Sequence, residues 1–293
     1  MSVAPPASVR RVAYLGTPDL AIPPLRALVD AGYEVPLVVS MPDRRRGRGK
    51  DLTPSPVKAA ALELGLPTTD DLAGLDALID DDAVDLAVVV AYGRIIPTSL
   101  LDRLAFVNLH FSLLPRWRGA APVERAILAG DETTGVCLMD LAEELDTGAV
   151  YRRTETPIGP DETLDELRGR LVDIGTRQLV EALAEGLGEP EPQSGDPVYA
   201  RKITAAEREI DWGQPALAIH RRVRVGGAFT TWQGKRFKVH RTRVATGADG
   251  PIVVPTGEGS LELLEVQPEG KPRMDAAAWA NGARWSADQR FGS

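Results

Sequence analysis

A doubly wound α/β domain with a mostly parallel sheet, followed by a small β-barrel, is the fold that the sequence predicts. Short apolar runs alternate with amphipathic helical segments over the first two thirds of the chain. Strand–helix–strand units of this kind have right-handed crossovers and form parallel sheets. The Pro/Gly-rich stretch GEPEPQSGDP then interrupts the pattern at 188–197, and short β-branched runs separated by glycines follow it.

The first domain is predicted element by element from these runs. Thr17 lies at the start of the first helical pattern, where we expect it to cap the helix. The strands are expected at 12–15, 35–39, 86–90, 106–110 and 135–139. The first helix is expected after Thr17-Pro18-Asp19, through Leu25, Leu28 and Val29, and further helices at 56–64, 72–79, 97–103, 123–129 and 164–187.

The C-terminal region has short β-branched runs in place of the strand–helix alternation, with strands expected at 236–244, 252–254 and 260–266. Several short strands in a small region indicate a β-barrel of the oligonucleotide-binding type. We therefore predict a first domain at 1–189, a linker at 190–206 and a second domain at 207–293.

The composition is that of a globular protein, with 43% hydrophobic residues and one cysteine. A single cysteine excludes an internal disulfide, and no apolar run is long enough to cross a membrane. The segment MSVAPPASVRR lacks the apolar region of a secretory signal. We expect a cytoplasmic protein, and a monomer.

The charge is unevenly distributed, although the chain carries −8 in total. Residues 200–244 hold 11 Lys/Arg against three acids, or +8, which leaves −16 for the remainder. A second basic cluster, RRRGRGK, spans 44–50. Such asymmetry indicates an anionic partner that touches two regions. The alternative is that both clusters are solvated surface.

Polar residues mark the predicted ligand-binding edge, because open parallel sheets bind ligands at the carboxyl ends of their strands. Asn108, His110 and Ser112 share one side of their segment, since residues i and i+2 project alike. Asn108, His110 and Asp146 could together orient an imidazole and supply a donor to a developing oxyanion. That equipment suits acyl transfer without a covalent enzyme intermediate. A structural histidine and a plain turn at 146–148 are the alternatives.

Other kinds of chemistry have weaker support. The chain has no G-x-S-x-G nucleophile elbow and no G-x-G-x-x-G dinucleotide motif after its first strand. Cys137 lies in an apolar strand, where we expect it to pack. No His or Cys pair has the spacing of metal ligands, so no metal site is predicted.

Taken together, the motifs resemble those of the folate-dependent formyltransferases. Asn108-x-His110 leads into SLLPRWRG, and Asp146 follows within LDTG. The segments GTPDLA, PDRRRGRGK, AYGRIIP, YARKI and LLEVQPEGK extend the resemblance along the chain. Within this family, the LLEVQPEGK segment and the GRGK loop resemble segments of the members that act on methionyl-tRNA.

The resemblance implies formyl transfer from the co-substrate 10-formyltetrahydrofolate to the α-amine of initiator methionyl-tRNA. The catalytic set would be Asn108, His110 and Asp146. The Rossmann-like formyltransferase domain would bind folate, and the C-terminal barrel would hold the tRNA. The folate site would include Tyr92, Gly93, Arg94, Ile95, Ser112, Leu113, Leu114, Pro115 and Asp140.

The resemblance also implies that the basic loop enters the acceptor-stem region of the tRNA. The tRNA-binding residues would be Arg44, Arg45, Arg46, Arg48 and Lys50. An alternative is a formyltransferase for an amino sugar or another small amine, which would not need this loop. A second alternative is a non-catalytic RNA- or folate-binding protein, which would not need all three catalytic residues.

Overall fold

A computed structural model describes residues 3–46, 51–247, 250, 252–286 and 289–292. The chain divides into two compact units. The first unit comprises the described residues of Met1–Gly119, Thr134–Thr156 and Arg168–Tyr199. The second comprises those of Ala120–Thr133, Pro157–Leu167 and Ala200–Ser293. The predicted domain limits at 189 and 206 stay a prediction.

The secondary structure follows the alternation that the sequence predicts. The strands are β1 Val12–Gly16, β2 Val38–Val39, β3 Arg44–Arg46, β4 Asp51–Thr53, β5 Thr68–Thr69, β6 Leu86–Val90, β7 Phe106–His110, β8 Arg118–Gly119, β9 Thr133–Asp140, β10 Val150–Pro157, β11 Tyr199–Ala200, β12 Phe229–Trp232, β13 Lys235–Val244, β14 Val253–Pro255, β15 Ser260–Pro268 and β16 Met274–Asp275. The helices are α1 Ile22–Asp30, α2 Pro56–Glu63, α3 Ala73–Asp80, α4 Thr98–Leu101, α5 Pro122–Ala129, α6 Leu164–Glu185, α7 Ala216–Val225 and α8 Ala276–Ala283.

The first unit is built on a seven-stranded sheet in the order β10-β9-β7-β6-β1-β2-β5. The pairs β1–β2, β1–β6, β2–β5 and β6–β7 are parallel, and β9 runs antiparallel to β7. Every residue of β1 and β6 is buried. Continuous apolar runs are what strands buried on both faces require, so these two form the centre of the sheet. The doubly wound, mostly parallel sheet is confirmed.

The predicted helix cap at Thr17 is wrong. A short 3-10 turn at Asp19–Ala21 precedes α1, which begins only at Ile22. The Thr17 hydroxyl instead donates a hydrogen bond of 2.7 Å to the carbonyl oxygen of Tyr92. Thr17 therefore ties the loop after β1 to the loop after β6, at the edge of the sheet where ligands are expected.

The second unit contains an antiparallel sheet in the order β12-β13-β15-β14, with β16 also paired to β15. Its core includes Ile219 of α7, Phe237 of β13, Leu263 of β15 and Trp279 of α8. The antiparallel C-terminal sheet is confirmed, and the helices α7 and α8 are additions to the predicted strands.

Candidate active site

Strand β7 presents Asn108 and His110 on one side of the sheet. Asn108 aligns with Val89 of β6 and with Met139 of β9, and His110 aligns with Cys137. His110 is 5% exposed and Asn108 is half-buried. Among the residues that the structure describes, the Asn108 side chain has no hydrogen-bond partner. Its amide is therefore available to a ligand.

Asp146 reaches His110 from the loop between β9 and β10. Because β9 is antiparallel to β7, its carboxyl end at Asp140 pairs with Val107 near the start of β7. The loop is closed by a hydrogen bond of 2.8 Å from Asp140 N to Ala149 O. Asp146 Oδ2 lies 3.6 Å from Nδ1 of His110. His110 and Asp146 thus lie side by side, and the third predicted catalytic residue, Asn108, is on the same strand as His110.

The other ring nitrogen of His110 is engaged by the backbone. Nε2 lies 2.9 Å from the carbonyl oxygen of Trp117. A carbonyl oxygen can only accept, so Nε2 carries a proton and donates it to this bond. Nδ1 is then the nitrogen that faces Asp146, and it can exchange a proton with a ligand.

Three non-glycine residues around the site have left-handed backbone conformations. Their φ angles are +48° at Ala91, +66° at Trp117 and +54° at Asp146. Such residues are strained and tend to occur at functional sites, where neighbouring contacts hold them. The contacts of Asp146 therefore decide whether its carboxylate stays beside the imidazole.

The loop after β6 contains the first group of expected folate contacts. Tyr92 is buried, and burial raises the pKa of its phenol. Gly93 has φ +89°, and Arg94 is exposed and donates to the carbonyl oxygen of Asp70. Ile95 is 86% exposed. Its large aliphatic side chain therefore lies in solvent, in the loop that follows β6.

The second group follows β7, and two of its four residues are buried. Ser112 donates from its hydroxyl to the carbonyl oxygen of Arg116 at 2.6 Å, which closes the turn. Leu113 is half-buried, Leu114 is buried, and a cis peptide bond joins Leu114 to Pro115. Ser112 and Leu114 therefore shape the turn that carries Trp117 towards His110. Asp140 is buried at the end of β9.

Strands β3 and β4 form an antiparallel pair, here called the basic hairpin, with Arg44 opposite Thr53 and Arg45 opposite Leu52. Arg44 and Arg45 are exposed, and Arg46 belongs to the same strand. Arg48 and Lys50 lie outside the described residues. Arginines on an exposed hairpin present positive charge to solvent, where a phosphate could reach it.

Sequence reasoning missed the groups that hold Asp146. The backbone N–H of Gly119 donates to Asp146 Oδ2 at 2.7 Å. The Gln193 side chain donates from Nε2 to the carbonyl oxygens of Asp146 (2.9 Å) and Gly148 (2.8 Å). Its Oε1 accepts from Arg118 Nε and Nη2, at 3.0 and 2.6 Å. Gln193 lies in the stretch interpreted as a linker, so only its polar character could have marked it.

Alternative chemistries find little support in the geometry. Burial raises the pKa of the Cys137 thiol, which opposes a thiolate nucleophile. Within the described ranges, no group of three His, Cys, Asp or Glu residues could hold a metal ion. No helix in the described part of the chain is long and apolar enough to span a membrane.

Comparison with known proteins agrees with the geometry. A family model described as formyl transferase matches residues 10–183, and one described as formyl transferase, C-terminal domain, matches 202–284. The methionyl-tRNA formyltransferase of Jannaschia sp. (strain CCS1) is 48% identical, over 94% of this chain and 97% of its own. That of Heliobacterium modesticaldum is 42% identical, over 96% of this chain and 100% of its own.

Solved structures share the fold at low sequence identity. An N-formyltransferase from Helicobacter canadensis, in complex with folinic acid and dTDP-3-aminofucose, has a TM-score of 0.66 at 14% identity, over 88% of this chain and 99% of its own. HypX from Aquifex aeolicus, in complex with tetrahydrofolic acid, has a TM-score of 0.65 at 17% identity, over 97% and 50%. With both family models matched and relatives similar along almost its whole length, this chain belongs to the formyl transferase family.

Proposed function

We propose that this chain transfers the formyl group of 10-formyltetrahydrofolate to the α-amine of initiator methionyl-tRNA. The observation that carries the proposal is the grouping of Asn108, His110 and Asp146 at the end of β7. Relatives that are similar over nearly their full length and bear the methionyl-tRNA name support the choice of substrate. The protein acts as a cytoplasmic monomer in this proposal.

Asn108 stabilises the oxyanion that forms when the amine attacks the formyl carbon. Its side-chain amide has no partner in the described part of the chain, so N–H donation to the substrate breaks no existing bond. Fixed donors aimed at developing charge are among the largest contributions to enzymatic rate. Asn108 is half-buried on β7, next to the strand positions that carry His110.

His110 and Asp146 act on the proton of the attacking amine. Because Nε2 donates to Trp117, Nδ1 is the nitrogen that accepts the proton. The resulting imidazolium lies beside the Asp146 carboxylate, 3.6 Å away, which stabilises the positive charge. A new C–N bond to the methionyl amine forms, the bond to folate N10 breaks, and N10 receives a proton.

The residues around the site fit a folate co-substrate. Ile95 and Leu145 are both large apolar side chains exposed to solvent, at 86% and 66%, in the two loops that border the site. An aromatic ring system packs on such side chains and removes their apolar area from water. The backbone after β6 supplies the polar groups that would orient the pterin.

The basic hairpin supplies phosphate contacts for the tRNA. Arg44 is exposed and forms no ion pair with any described residue, and Arg45 is exposed beside it. Contacts of Arg and Lys with phosphates position a nucleic acid without reading its sequence. Arg46, Arg48 and Lys50 extend this positive charge along the same sequence segment.

A formylation assay tests the proposal. Purified protein is incubated with 10-formyltetrahydrofolate and, in parallel, initiator methionyl-tRNA, elongator methionyl-tRNA or a nucleotide-linked amino sugar. Formylation of the initiator alone is the expected result. Turnover of the amino sugar without tRNA formylation would replace the proposal with the small-amine alternative. Folate binding without any turnover would favour the non-catalytic alternative.

A further inference from the structure

The segment between the two regions matched by family models is bonded into the first unit. The models cover 10–183 and 202–284, which leaves 184–201 between them. Glu191 exchanges two backbone hydrogen bonds with Val150, of 2.8 and 2.9 Å. Val198 donates to Pro115 O and accepts from Arg118 N, at 3.2 and 2.8 Å. Gln193 lies between these two attachment points.

The Gln193 side chain uses all its hydrogen-bonding groups, on Arg118 and on the loop between β9 and β10, here called the catalytic loop. Two carbonyl oxygens, of Asp146 and Gly148, accept from Nε2, and the Arg118 guanidinium donates twice to Oε1. The orientation of the amide is unambiguous, because carbonyls only accept and a guanidinium only donates. A glutamate at this position would keep Arg118 but could donate to neither carbonyl.

These contacts fall on the residue whose backbone is strained. Asp146 has φ +54°, a conformation that is strained for a non-glycine residue and persists only when neighbours fix it. Gln193 binds the carbonyl oxygen of Asp146, and Gly119 N–H binds its carboxylate. The two bonds fix both ends of the residue that faces His110.

We propose that Gln193 is a positioning residue for Asp146 and that Arg118 acts with it. The inference rests on the proposed function for its effect on turnover, since it assigns Asp146 a role in proton transfer. Gln193 orients the carboxylate through the loop and touches no reacting atom. A segment outside both family models thus contributes to the catalytic arrangement.

Kinetics of Gln193→Ala, with Ser194→Ala as the matched control, test the inference. Ser194 is the exposed neighbour and makes no hydrogen bond to the described residues. We expect kcat to fall roughly 10- to 100-fold, because small misplacements of a catalytic group have effects of that size. KM for the tRNA should not change. Gln193→Glu should lose kcat equally, and wild-type turnover in either Gln193 variant would overturn the inference.

A double-mutant cycle separates positioning from general loss of structure. If Gln193 acts through Asp146, then Gln193→Ala should lower kcat much less in an Asp146→Asn background than in the wild type. Multiplicative losses from the two substitutions would refute the inference. Thermal unfolding of each variant, measured in parallel, identifies any loss caused by unfolding.

Amide hydrogen exchange gives a readout that needs no substrate. The N–H of Gly119 donates to the Asp146 carboxylate, so its protection reports whether that carboxylate is in place. We expect the Gly119 amide to exchange at least about tenfold faster in Gln193→Ala and Gln193→Glu, but not in Ser194→Ala. Unchanged exchange would overturn the inference. If the wild-type protein showed no formyl transfer, the proposed function would be refuted but the positioning role of Gln193 would not, because hydrogen exchange tests that role without substrate.

Discussion

Gly148 lies directly against the backbone of Asp140. A Cβ atom at Gly148 would overlap the carbonyl oxygen of Asp140, and no flexible side chain could move to make room. The two residues are the ends of the loop that carries Asp146. The glycine of the D-T-G motif is therefore required by packing, beyond the preference of glycine for turns.

We expect Gly148→Ala to lower the free energy of unfolding by about 2 kcal/mol, because the overlap is with backbone. Turnover should fall as well, since the loop must shift together with Asp146. Gly169→Ala is the control: Gly169 is an exposed position of α6 with nothing near the added Cβ. It should be neutral or stabilising, by up to about 1 kcal/mol. Chemical denaturation of both variants measures the difference.

Asn108→Ala should reduce kcat roughly 100- to 1000-fold, as expected for the loss of an oxyanion donor. The free energy of unfolding should change little, because the Asn108 amide has no partner among the described residues. Asn281→Ala, on the exposed face of α8, is the matched control and should leave turnover unchanged. Steady-state kinetics with saturating folate would reveal either result, and full activity of Asn108→Ala would contradict the mechanism.

Replacing Arg44, Arg45, Arg46 and Arg48 by alanine should weaken tRNA binding while folate affinity stays nearly unchanged. Removing an arginine that binds a phosphate should also reduce the slope of log K against the logarithm of the salt concentration, by about one per arginine. Binding titrations at several salt concentrations measure both effects. Arg26→Ala serves as the control, because Arg26 of α1 is paired with Glu63 of α2 and is not part of the basic cluster. Equal losses of tRNA and folate affinity would argue against a separate tRNA site.

The Arg125–Glu207 ion pair should give the second unit a pH-dependent stability. The hydrogen bond from Arg125, 2.6 Å long, lowers the pKa of Glu207 to about 2. A lowered pKa means that the pair stabilises the fold above the ordinary glutamate range and loses that effect as pH falls towards 2. Because both side chains are partly exposed to solvent, the contribution of the pair is about 1 kcal/mol or less.

We expect Glu207→Gln to be slightly less stable than the wild type at pH 7 and equally stable near pH 2. Denaturation curves at intervals between pH 7 and pH 2 would show the two converging below about pH 4.5. A difference that stays constant over this whole range would exclude the pair as its cause.

The sequence predicted those elements whose residues are buried in a regular pattern. β6 and β7 have the predicted limits, since both are short and mostly buried apolar runs. β10 was missed because YRRTETP is polar and this edge strand buries only two of its eight residues. Residue type also could not indicate that β9 runs antiparallel to β7, because periodicity carries no direction.

The side chains of the predicted catalytic set could be singled out by their types, but the groups that contact them could not. The Trp117 carbonyl and the Gly119 N–H are backbone groups, which every residue has and no sequence pattern distinguishes. Gln193 lies 47 residues beyond Asp146 and meets it only through the fold. The site residues themselves stay predictions until the variants above are measured.

The attachment of Glu191 and Val198 to the first unit has a consequence for dissecting the chain. A fragment that stops at residue 189 would lose both backbone attachments and the Gln193 side chain, which binds the carbonyl oxygens of Asp146 and Gly148. A fragment that continues through Tyr199 keeps all of them. Limited proteolysis in this stretch should therefore inactivate the enzyme even if both halves remain folded. The cut would free Gln193, which donates hydrogen bonds to the carbonyl oxygens of Asp146 and Gly148.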